Sequence, residues 1–314
     1  MNNIQWYPGH MTKTRRMMEE NISLVDIVIE LVDARIPYSS KNPDLDTIAK
    51  NKHRILLLNK CDLADEKATD IWQSYFEAQG FFVIRINALG GSGLGEVTEA
   101  ARAMMQEKIA KLKARGRINV PIRSMIVGIP NVGKSTFINK YVGKATAKTG
   151  DKPGVTRGKQ WIKLKKDFEL LDTPGILWPK FEDQQVGLKL AFTGAINDDI
   201  LDAENLGIAF LRHMAARNAD CIRNRYGVDF APGDEPYEIL QKIALSRGFK
   251  KKGGEPDLER TAKILLDEFR GGKLGRLTLE LPEDIDRMLE EKAGRESEKA
   301  KQDQQRKRNY KGKA

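Results

Sequence analysis

Cysteine is almost absent from this 314-residue chain, which contains only Cys61 and Cys221. Neither belongs to a CxxC pair or a Cys/His cluster, so a disulfide framework and a structural zinc site are both excluded. Long apolar runs are missing too, because stretches such as residues 54–58 fall far short of the ~18 residues needed to cross a bilayer. Residues 1–20 are too polar for a signal peptide. We therefore expect a cytoplasmic protein without stable membrane association.

Acidic residues are outnumbered, with 54 Lys and Arg against 44 Asp and Glu and a formal net charge of +10. Half of this excess lies in residues 295–314, where eight basic side chains face three acidic ones. This basic tail is either a solvated, disordered end or an arm that binds phosphates, and its composition favours neither. The hydrophobic content of 40% excludes disorder of the whole chain, and the length suggests two domains at ~150 residues each.

Helical and strand-like segments alternate through the first half of the sequence. The predicted helices are residues 12–24, 65–79, 94–114 and 136–141, and the predicted strands are residues 25–32, 54–58, 81–86, 122–127 and 168–171. Such alternation is typical of a doubly wound, mostly parallel sheet. Beyond about Pro179 the strand signals thin out, and residues 204–216, 236–247 and 258–269 have helical periodicity. An all-α domain is therefore expected to follow the sheet.

A phosphate-binding loop is predicted at residues 128–135, whose sequence GIPNVGKS fits GxxxxGKS between a strand and a helix. Gly128 and Gly133 let the backbone curl so that successive N–H groups face phosphates at the positive end of the helix. Lys134 is then expected to pair with the β- and γ-phosphates, and Ser135 to ligate Mg²⁺.

A second motif, Asp172-Thr173-Pro174-Gly175, follows the predicted strand 168–171. Its Asp172 suits the Mg²⁺ shell, and the N–H of Gly175 suits the γ-phosphate. Between the two motifs, residues 150–161 are rich in Gly and Lys and include Thr156. This stretch is either a plain surface loop or a switch that becomes ordered when Thr156 meets Mg²⁺, and the upstream phosphate loop favours the switch.

Base recognition is predicted at Asn59, Lys60 and Asp62, which follow a strand and so lie at the ligand-binding edge of the sheet. One carboxylate can accept both the N1–H and the exocyclic amino group of guanine, whereas adenine offers neither donor. The apolar stem of Lys60 is expected to flank the base. Asn87 and Ala88, after the next strand, are placed to offer a backbone N–H to the guanine carbonyl.

The order of these motifs resembles that of the circularly permuted GTPases, because the base-recognition motif precedes the phosphate loop. Further segments resemble the ribosome biogenesis GTPase A family over about residues 4–290. They are Trp6-Tyr7-Pro8-Gly9-His10-Met11, Asp33-Ala34-Arg35-Ile36-Pro37, the NKCD of residues 59–62, the GIPNVGKS of residues 128–135 and the DTPGI of residues 172–176. The resemblance implies an α/β, Ras-like, doubly wound, mostly parallel sheet in circularly permuted order, followed by an all-α domain.

The implied domain organisation has three parts. Residues 1–180 form a circularly permuted GTP-binding domain, residues 181–292 a helical domain that binds RNA or the ribosome, and residues 293–314 the basic, disordered tail. The resemblance further implies hydrolysis of GTP to GDP, with Mg²⁺ and a candidate K⁺ as cofactors. The expected partner is a precursor of the large ribosomal subunit, both rRNA and ribosomal proteins, and the expected oligomeric state is a monomer.

The candidate site residues fall into three sets. The nucleotide-binding set is Asn59, Lys60, Asp62, Asn87, Ala88, Asn131, Val132, Gly133, Lys134, Ser135, Thr136 and Gly175. The metal-ligating set is Ser135, Thr156 and Asp172 for Mg²⁺ and Asn131 for K⁺. The catalytic set is His10, Lys134, Thr156 and Gly175. Asn131 has an equally good interpretation as a residue that stabilises the loop.

The attacking water needs a positioning group, because Ile176 follows the DTPG motif and cannot orient water. The permutation places residues 6–24 where a second switch continues in unpermuted GTPases. His10 lies in that segment and is assigned a role in hydrolysis by the family pattern, although a lone His is more often structural. Asp33 and Arg35 are interpreted as a structural strand-end motif that could also shape the switch region.

Three functions remain open on the residues alone. The first is a slow GTPase that binds the immature large subunit and is triggered by it. The second is a binding protein in which GTP is structural and turnover is negligible. The third is a GTP switch for a protein or an anionic membrane surface, with the tail meeting lipid.

Overall fold

A computed structural model describes residues 9–117, 120–143, 160–165, 168–173, 183–198, 201–231, 233–290 and 293–294. For residues 9–14, 160, 164 and 165 it describes the backbone alone. Within the described chain, residues up to Leu279 form one compact unit, and a second unit begins at Glu280. The second unit contains a helical stretch at residues 282–290.

The first unit is built on a six-stranded sheet with the order β3-β2-β1-β4-β6-β5. The strands are β1 (Ile27–Asp33), β2 (His53–Asn59), β3 (Phe82–Ile86), β4 (Ile122–Gly128), β5 (Gln160–Lys165) and β6 (Phe168–Asp172). Neighbouring strands are parallel, apart from the antiparallel pair of β5 and β6. All seven residues of β1 are buried, as expected for a central strand covered on both faces.

Helices follow or precede each of these strands. They are α1 (Gly9–Asn21), α2 (Asp44–Ile48), α3 (Glu66–Ala78), α4 (Leu94–Ala114) and α5 (Lys134–Val142). The start of α3 is fixed by Asp65, whose side chain accepts a hydrogen bond from the N–H of Ala68. Within α3, Trp72 and Phe76 are buried, so its apolar stripe faces the sheet.

The chain turns helical after the sheet, and these helices belong to the same compact unit. They are α6 (Gln184–Phe192), α7 (Ala203–Arg217), α8 (Ala219–Tyr226), α9 (Pro236–Ser246) and α10 (Leu258–Arg270). Helix α7 packs on both α9 and α10. Phe210 of α7 lies between Phe192 and Phe269, with ring centroids 5.3 and 4.9 Å away, which gives this helical part a continuous aromatic core.

The predicted fold class is confirmed, and the predicted elements are present with ends that differ by a few residues. Five described elements were not predicted: the short helices α2, α6 and α8, strand β5, and the helical stretch at residues 282–290. Strand β5 lies at the edge of the described sheet, where it pairs with β6, and it alternates exposed Trp161 and Lys163 with buried Ile162. Lys163 and Lys165 make two of its six positions charged, so the sequence of this strand lacks a clear strand pattern. Among the described helices, none is long and apolar enough to cross a membrane.

The strand order explains where a ligand can bind. From β1 the chain continues to β2 and β3 on one side, whereas from β4 it continues to β5 and β6 on the other, with β6 lying next to β4. In open parallel sheets, ligands bind beyond the carboxyl ends of the strands at such a switch point. Gly128 ends β4 beside Leu31 of β1, and Asp33 of β1 pairs with Asn59 of β2. The predicted motifs therefore lie at one edge.

Candidate active site

The phosphate loop connects β4 to α5 and has a shape that two glycines permit. At Gly128, a Cβ atom would lie 2.8 Å from the backbone oxygen of Leu31. Gly133 has a φ of +103°, and a Cβ there would lie 2.4 Å from Nδ2 of Asn59. Both positions therefore exclude a side chain. The loop leads directly to the N-terminus of α5, where backbone N–H groups form an anion site.

Lys134 opens α5 with its ammonium group buried beside the loop. Its Nζ donates a hydrogen bond to the backbone oxygen of Gly128 at 3.2 Å. Burial lowers the pKa of Lys134 to about 8, although the nearby Asp172 carboxylate acts in the opposite direction. A cation held in this dry position gains most from an anion, so the site is suited to a phosphate.

Asp172 ends β6 and is buried where β6 pairs with β4, opposite Ile126. Burial raises the pKa of this carboxyl to about 6, while Lys134 and the backbone N–H of Thr173 act to lower it. Within the described residues, its Oδ1 atom has no hydrogen-bond partner. A buried carboxylate oxygen of this kind is a suitable ligand for a hard cation such as Mg²⁺. Ser135, at the start of α5, offers a hydroxyl oxygen.

Mg²⁺ sites in phosphate-loop proteins use one or two protein ligands together with substrate phosphates and water. Within the described residues there is no group of three or more His, Cys, Asp or Glu side chains that could hold a metal. Thr156 and Gly175, the other predicted ligands of the metal and the phosphate, lie outside the described residues.

Asn59 connects the phosphate loop to the segment after β3. Its Nδ2 donates to the backbone oxygen of Val132 at 2.7 Å, and its Oδ1 accepts from the N–H of Ala88 at 3.0 Å. The N–H of Asn87 donates to the backbone oxygen of Ser92. The predicted guanine contact through Ala88 would therefore share a hydrogen already bonded to Asn59.

Lys60 adopts a left-handed backbone conformation, with φ of 62°, directly after Asn59. Its Nζ donates to the backbone oxygen of Asn131 at 3.0 Å and to Oδ2 of Asp33 at 2.9 Å. Burial lowers the pKa of Lys60, an effect that the Asp33 carboxylate opposes. Asp62, two residues later, is exposed and accessible to a base.

Asp33 is the centre of a buried charge cluster that was not predicted as part of the site. Its Oδ1 accepts from Nε of Arg35 at 2.9 Å, and its Oδ2 accepts from Nη2 of Arg35 at 2.8 Å and from Lys60. Burial alone would raise the pKa of this carboxyl, but the charges and hydrogen bonds of Arg35 and Lys60 lower it well below its usual range. The cluster therefore stays ionised.

Arg35 extends this cluster to the helical part. Its Nη1 donates to the backbone oxygens of Phe269 and Arg270 at 3.4 and 3.3 Å, and its guanidinium lies 5.0 Å from the centroid of the Phe269 ring. A guanidinium at these last carbonyls of α10 stabilises the negative end of the helix. The spacing of Asp33 and Arg35 was the available signal, but the partner 234 residues away was not predictable from it.

Asn131 has a positive φ of 56° within the phosphate loop. Its Nδ2 donates to the backbone oxygen of Gly194, just after α6, at 2.8 Å. This contact is the loop-stabilising role considered for Asn131, and it links the loop to the helical part. His10 lies on α1, and its side chain is outside the described residues.

Together these features define the class of protein. The switch point of a Ras-like sheet carries a phosphate loop with its lysine, a buried aspartate and an NKxD motif. These features are those of a P-loop GTPase whose base-recognition motif comes first in the sequence. A family model described as "50S ribosome-binding GTPase" matches residues 123–214. The match begins in β4, so the base-recognition motif lies before it, as a permuted order requires.

Relatives and solved structures identify the family. A ribosome biogenesis GTPase A from Bacillus cereus is 49% identical over 288 residues, covering 92% of this chain and 97% of the relative. One from Thermotoga maritima is 34% identical over 282 residues, covering 90% and 96%. A crystal structure of GNP-bound YlqF from T. maritima has a TM-score of 0.58 and 31% identity, covering 86% of this chain and 99% of that one. The chain belongs to the ribosome biogenesis GTPase A family.

It follows that the protein binds GTP and GDP, hydrolyses GTP and acts in ribosome biogenesis. The predicted family, enzyme class and nucleotide are confirmed. The particular site residues, the metal ions and the ribosomal partner stay predictions.

Proposed function

We propose that this GTPase binds a precursor of the large ribosomal subunit in its GTP form, and that the particle stimulates hydrolysis and thereby releases the protein. The observation that carries the proposal is family membership over nine-tenths of the chain, since 92% of it aligns with a relative named for ribosome biogenesis. The family model that covers the phosphate loop is described as ribosome-binding.

The proposed binding mode of GTP follows from the site. The guanine meets the exposed carboxylate of Asp62, which accepts from N1–H and the exocyclic amino group. Asn59 and Lys60 hold the phosphate loop to this base-recognition segment through the bonds at Val132 and Asn131. The phosphates bind the N–H groups of residues 131–136 and the Lys134 ammonium, which stabilises the charge that develops on transfer.

Ser135, Asp172 and Thr156 are proposed to hold Mg²⁺. When bound, the ion neutralises charge on the β- and γ-phosphates. The orphaned Oδ1 atom of Asp172 supports this assignment. Asn131 is proposed as the ligand of K⁺, and Gly175 as the N–H donor to the γ-phosphate.

His10 is proposed to position the attacking water. The residue after the DTPG motif is Ile176, whose side chain has no polar atom, so another group must perform this task. His10 lies on α1, which directly precedes the central strand β1 in the permuted order.

The helical part, residues 181–292, is proposed to contact rRNA. A short basic hairpin between α9 and α10 supports this. Its backbone is closed by hydrogen bonds from Lys251 N–H to Glu255 and from Asp257 N–H to Phe249, and a β-bridge joins Lys250 to Pro256. Lys250, Lys251 and Lys252 are exposed on it, where phosphates can reach them.

The deciding experiment measures GTP hydrolysis by the purified full chain with and without large ribosomal subunits, in potassium and in sodium buffer. We expect a slow basal rate that the subunits raise about tenfold or more, equivalent to ~1.4 kcal/mol of barrier. Removing Mg²⁺ with EDTA should abolish turnover, and a faster rate in potassium would support Asn131 as its ligand.

His10→Ala tests the water-positioning role in the same assay. It should lose the stimulated rate while GDP affinity stays near that of the wild type. His53→Ala is the matched control, because His53 is exposed at the start of β2, away from the carboxyl edge. An undiminished stimulated rate for His10→Ala contradicts its role. Tight nucleotide binding without any stimulation contradicts triggering by the particle and favours a GTP-dependent binding protein.

A further inference from the structure

The segment that follows α10 runs along the base-recognition loop. We name Gly272–Leu279 the strap and residues 60–66 the base loop. The strap begins in a turn, in which the N–H of Gly275 bonds to the backbone oxygen of Gly272 at 3.1 Å. Its leucines are buried, and its Arg276 and Thr278 side chains bond to the base loop. The buried residues are Leu274, Leu277 and Leu279.

Arg276 holds the base loop on both sides of Asp62. Its Nη2 donates to the backbone oxygen of Cys61 at 3.1 Å and its Nε to that of Ala64 at 2.8 Å. Its Nη1 also lies 3.3 Å from a carboxylate oxygen of Glu66. The guanidinium fork therefore spans the turn that presents the base-reading carboxylate.

The next three strap residues continue the contact. The N–H of Leu277 donates to the backbone oxygen of Leu63 at 2.9 Å, and the hydroxyl of Thr278 accepts from the N–H of Asp65 at 3.1 Å. The N–H of Leu279 donates to the backbone oxygen of Arg35 at 2.8 Å. Each residue from 276 to 279 thus bonds to the GTPase sheet part.

The strap also approaches the base loop too closely for a side chain at one point. Gly272 has a φ of +74°, and a Cβ there would lie 2.6 Å from a methyl carbon of Leu63. Leu63, the residue after Asp62, therefore packs against Gly272, and its backbone oxygen accepts the hydrogen bond from Leu277. Close packing of this kind restrains the positions of the residues that it joins.

The sheet part holds the two ends of the base loop, through the bonds of Lys60 and Asp65, whereas the backbone of residues 61–64 makes only two described bonds within that part. The N–H of Cys61 donates to Ile86 at 3.3 Å, and that of Leu63 to Lys60 at 2.9 Å. A carboxylate that accepts two parallel bonds from guanine must be held to within about half an ångström. Much of that restraint comes from the strap.

We propose that the strap, through Arg276, is the positioning device for Asp62, so that guanine selectivity depends on contact with the segment after α10. Arg276 is a positioning residue, because it acts through the Cys61 and Ala64 carbonyls and not on the nucleotide. Since linkage is reciprocal, binding of a guanine nucleotide stabilises the strap by the same factor that the strap strengthens binding. This inference rests on the proposed contact between Asp62 and guanine and is independent of the ribosomal partner.

Arg276→Ala in the full chain tests it, with binding of GTP, GDP and ITP measured by calorimetry. ITP lacks the exocyclic amino group, so it reports the second bond to Asp62. We expect GTP and GDP to bind about tenfold more weakly, with a smaller loss for ITP, so that the ratio of the ITP to the GTP dissociation constant falls. Arg276→Lys should recover part of this ratio, because an ammonium can still donate to one carbonyl.

Two controls separate positioning from damage. The Arg276 side chain is 48% exposed, so the variant should fold, and a thermal melt checks this. Lys273→Ala removes an exposed cation from the same strap and should leave all three affinities unchanged. A uniform weakening for GTP and ITP would indicate general loosening and overturn the proposal, as would affinities within about twofold of the wild type.

Hydrogen exchange provides a second measurement. Adding GDP should slow exchange at the amides of Asp65, Leu277 and Leu279 in the wild type, and less so in Arg276→Ala. Unchanged exchange across the strap would contradict the reciprocal coupling. A wild type that binds GTP but is not stimulated by ribosomal subunits would overturn the proposed function and leave this inference intact.

Discussion

Asp33 shows how one buried side chain serves several parts of the site. It receives hydrogen bonds from Arg35 and Lys60, and these two cations in turn bond to α10 and to the phosphate loop. A buried charge cluster adds little net stability, because the cost of removing its charges from water offsets most of their attraction. Removing one partner is strongly destabilising, because it leaves the other charge buried and uncompensated. The main effect of the Asp33 cluster is on geometry. The position of Lys60 depends on an aspartate that is not expected to touch the nucleotide.

Asp33→Asn should therefore destabilise the protein strongly. The change keeps the shape but leaves the buried Arg35 and the partly buried Lys60 without their counter-charge, at a cost of ~3–5 kcal/mol in the free energy of unfolding. Urea denaturation monitored by fluorescence measures this. Asp46→Asn is the control, because Asp46 pairs with Lys41 and Arg54 with its side chain 53% exposed, and such pairs contribute ~0–1 kcal/mol. Equal losses for the two variants would contradict the argument.

Helix C-termini are the junctions between the sheet part and the helical part. Arg35 of the sheet part bonds to the last carbonyls of α10, and within the helical part Arg270 of α10 donates to the backbone oxygens of Ala191 and Phe192 at the end of α6. Asn131 bonds to Gly194, two residues beyond α6. Terminal carbonyls have no partner within their own helix, so they accept such side chains readily. The phosphate loop is thereby joined to α6.

The contact between α8 and α10 has a pH dependence that can be tested. Glu268 of α10 accepts from Arg225 and Tyr226 of α8. The hydrogen bonds from Arg225 lower the pKa of this carboxyl to about 2, against its ordinary value of 4.5. A lowered folded-state pKa stabilises the protein above the ordinary value, and that stabilisation is lost as pH falls from about 4.5 toward 2.

Glu268→Gln should consequently be less stable than the wild type at pH 7, with a gap that narrows at pH 3. Urea unfolding at both values measures the gap. The control is Glu259→Gln, which removes an exposed pair with Lys263 and should differ little from the wild type at either pH. If the difference in unfolding free energy between Glu268→Gln and the wild type is the same at pH 7 and pH 3, the ionised Glu268 carboxylate is not its cause.

Periodicity predicted the long elements, and its failures have a common cause. Helices α4, α7 and α10 show enough turns for an apolar stripe to be visible. Helix α2 has five residues and α8 has eight, and strand β5 lies at an edge, so each has too few buried positions for its pattern to stand out. Tertiary packing stabilises these short segments where local propensity does not.

The net charge of the whole chain bears on the kind of partner that it can bind. The net charge of +10 favours a polyanion, and the exposed lysines of the hairpin between α9 and α10 are held on an ordered turn. A particle bound through phosphates should show an affinity that falls steeply with salt.

Changing Lys250, Lys251 and Lys252 to Ala should weaken binding to the large-subunit precursor and reduce the salt slope by about one for each phosphate that the lysines no longer neutralise. Filter binding across a salt series measures both. The triple change of Lys67, Lys111 and Lys113 to Ala removes the same charge from α3 and α4, and should lower affinity less. If both triples behave alike, net charge and not the hairpin is responsible.

The chemistry of the site and the permuted order of its motifs can be predicted from the amino-acid sequence. Loop glycines, a lysine beside Ser135 and the NKCD segment have fixed local spacing, and a parallel sheet brings strand ends to one edge. The contacts of Asp33, Arg35, Asn131 and Arg276 cannot be predicted in this way, because they form when the chain folds. Apart from the bonds between Asp33 and Arg35 themselves, their partners lie tens to hundreds of residues away. Several of these partners are backbone carbonyls, which every residue carries and no sequence pattern distinguishes.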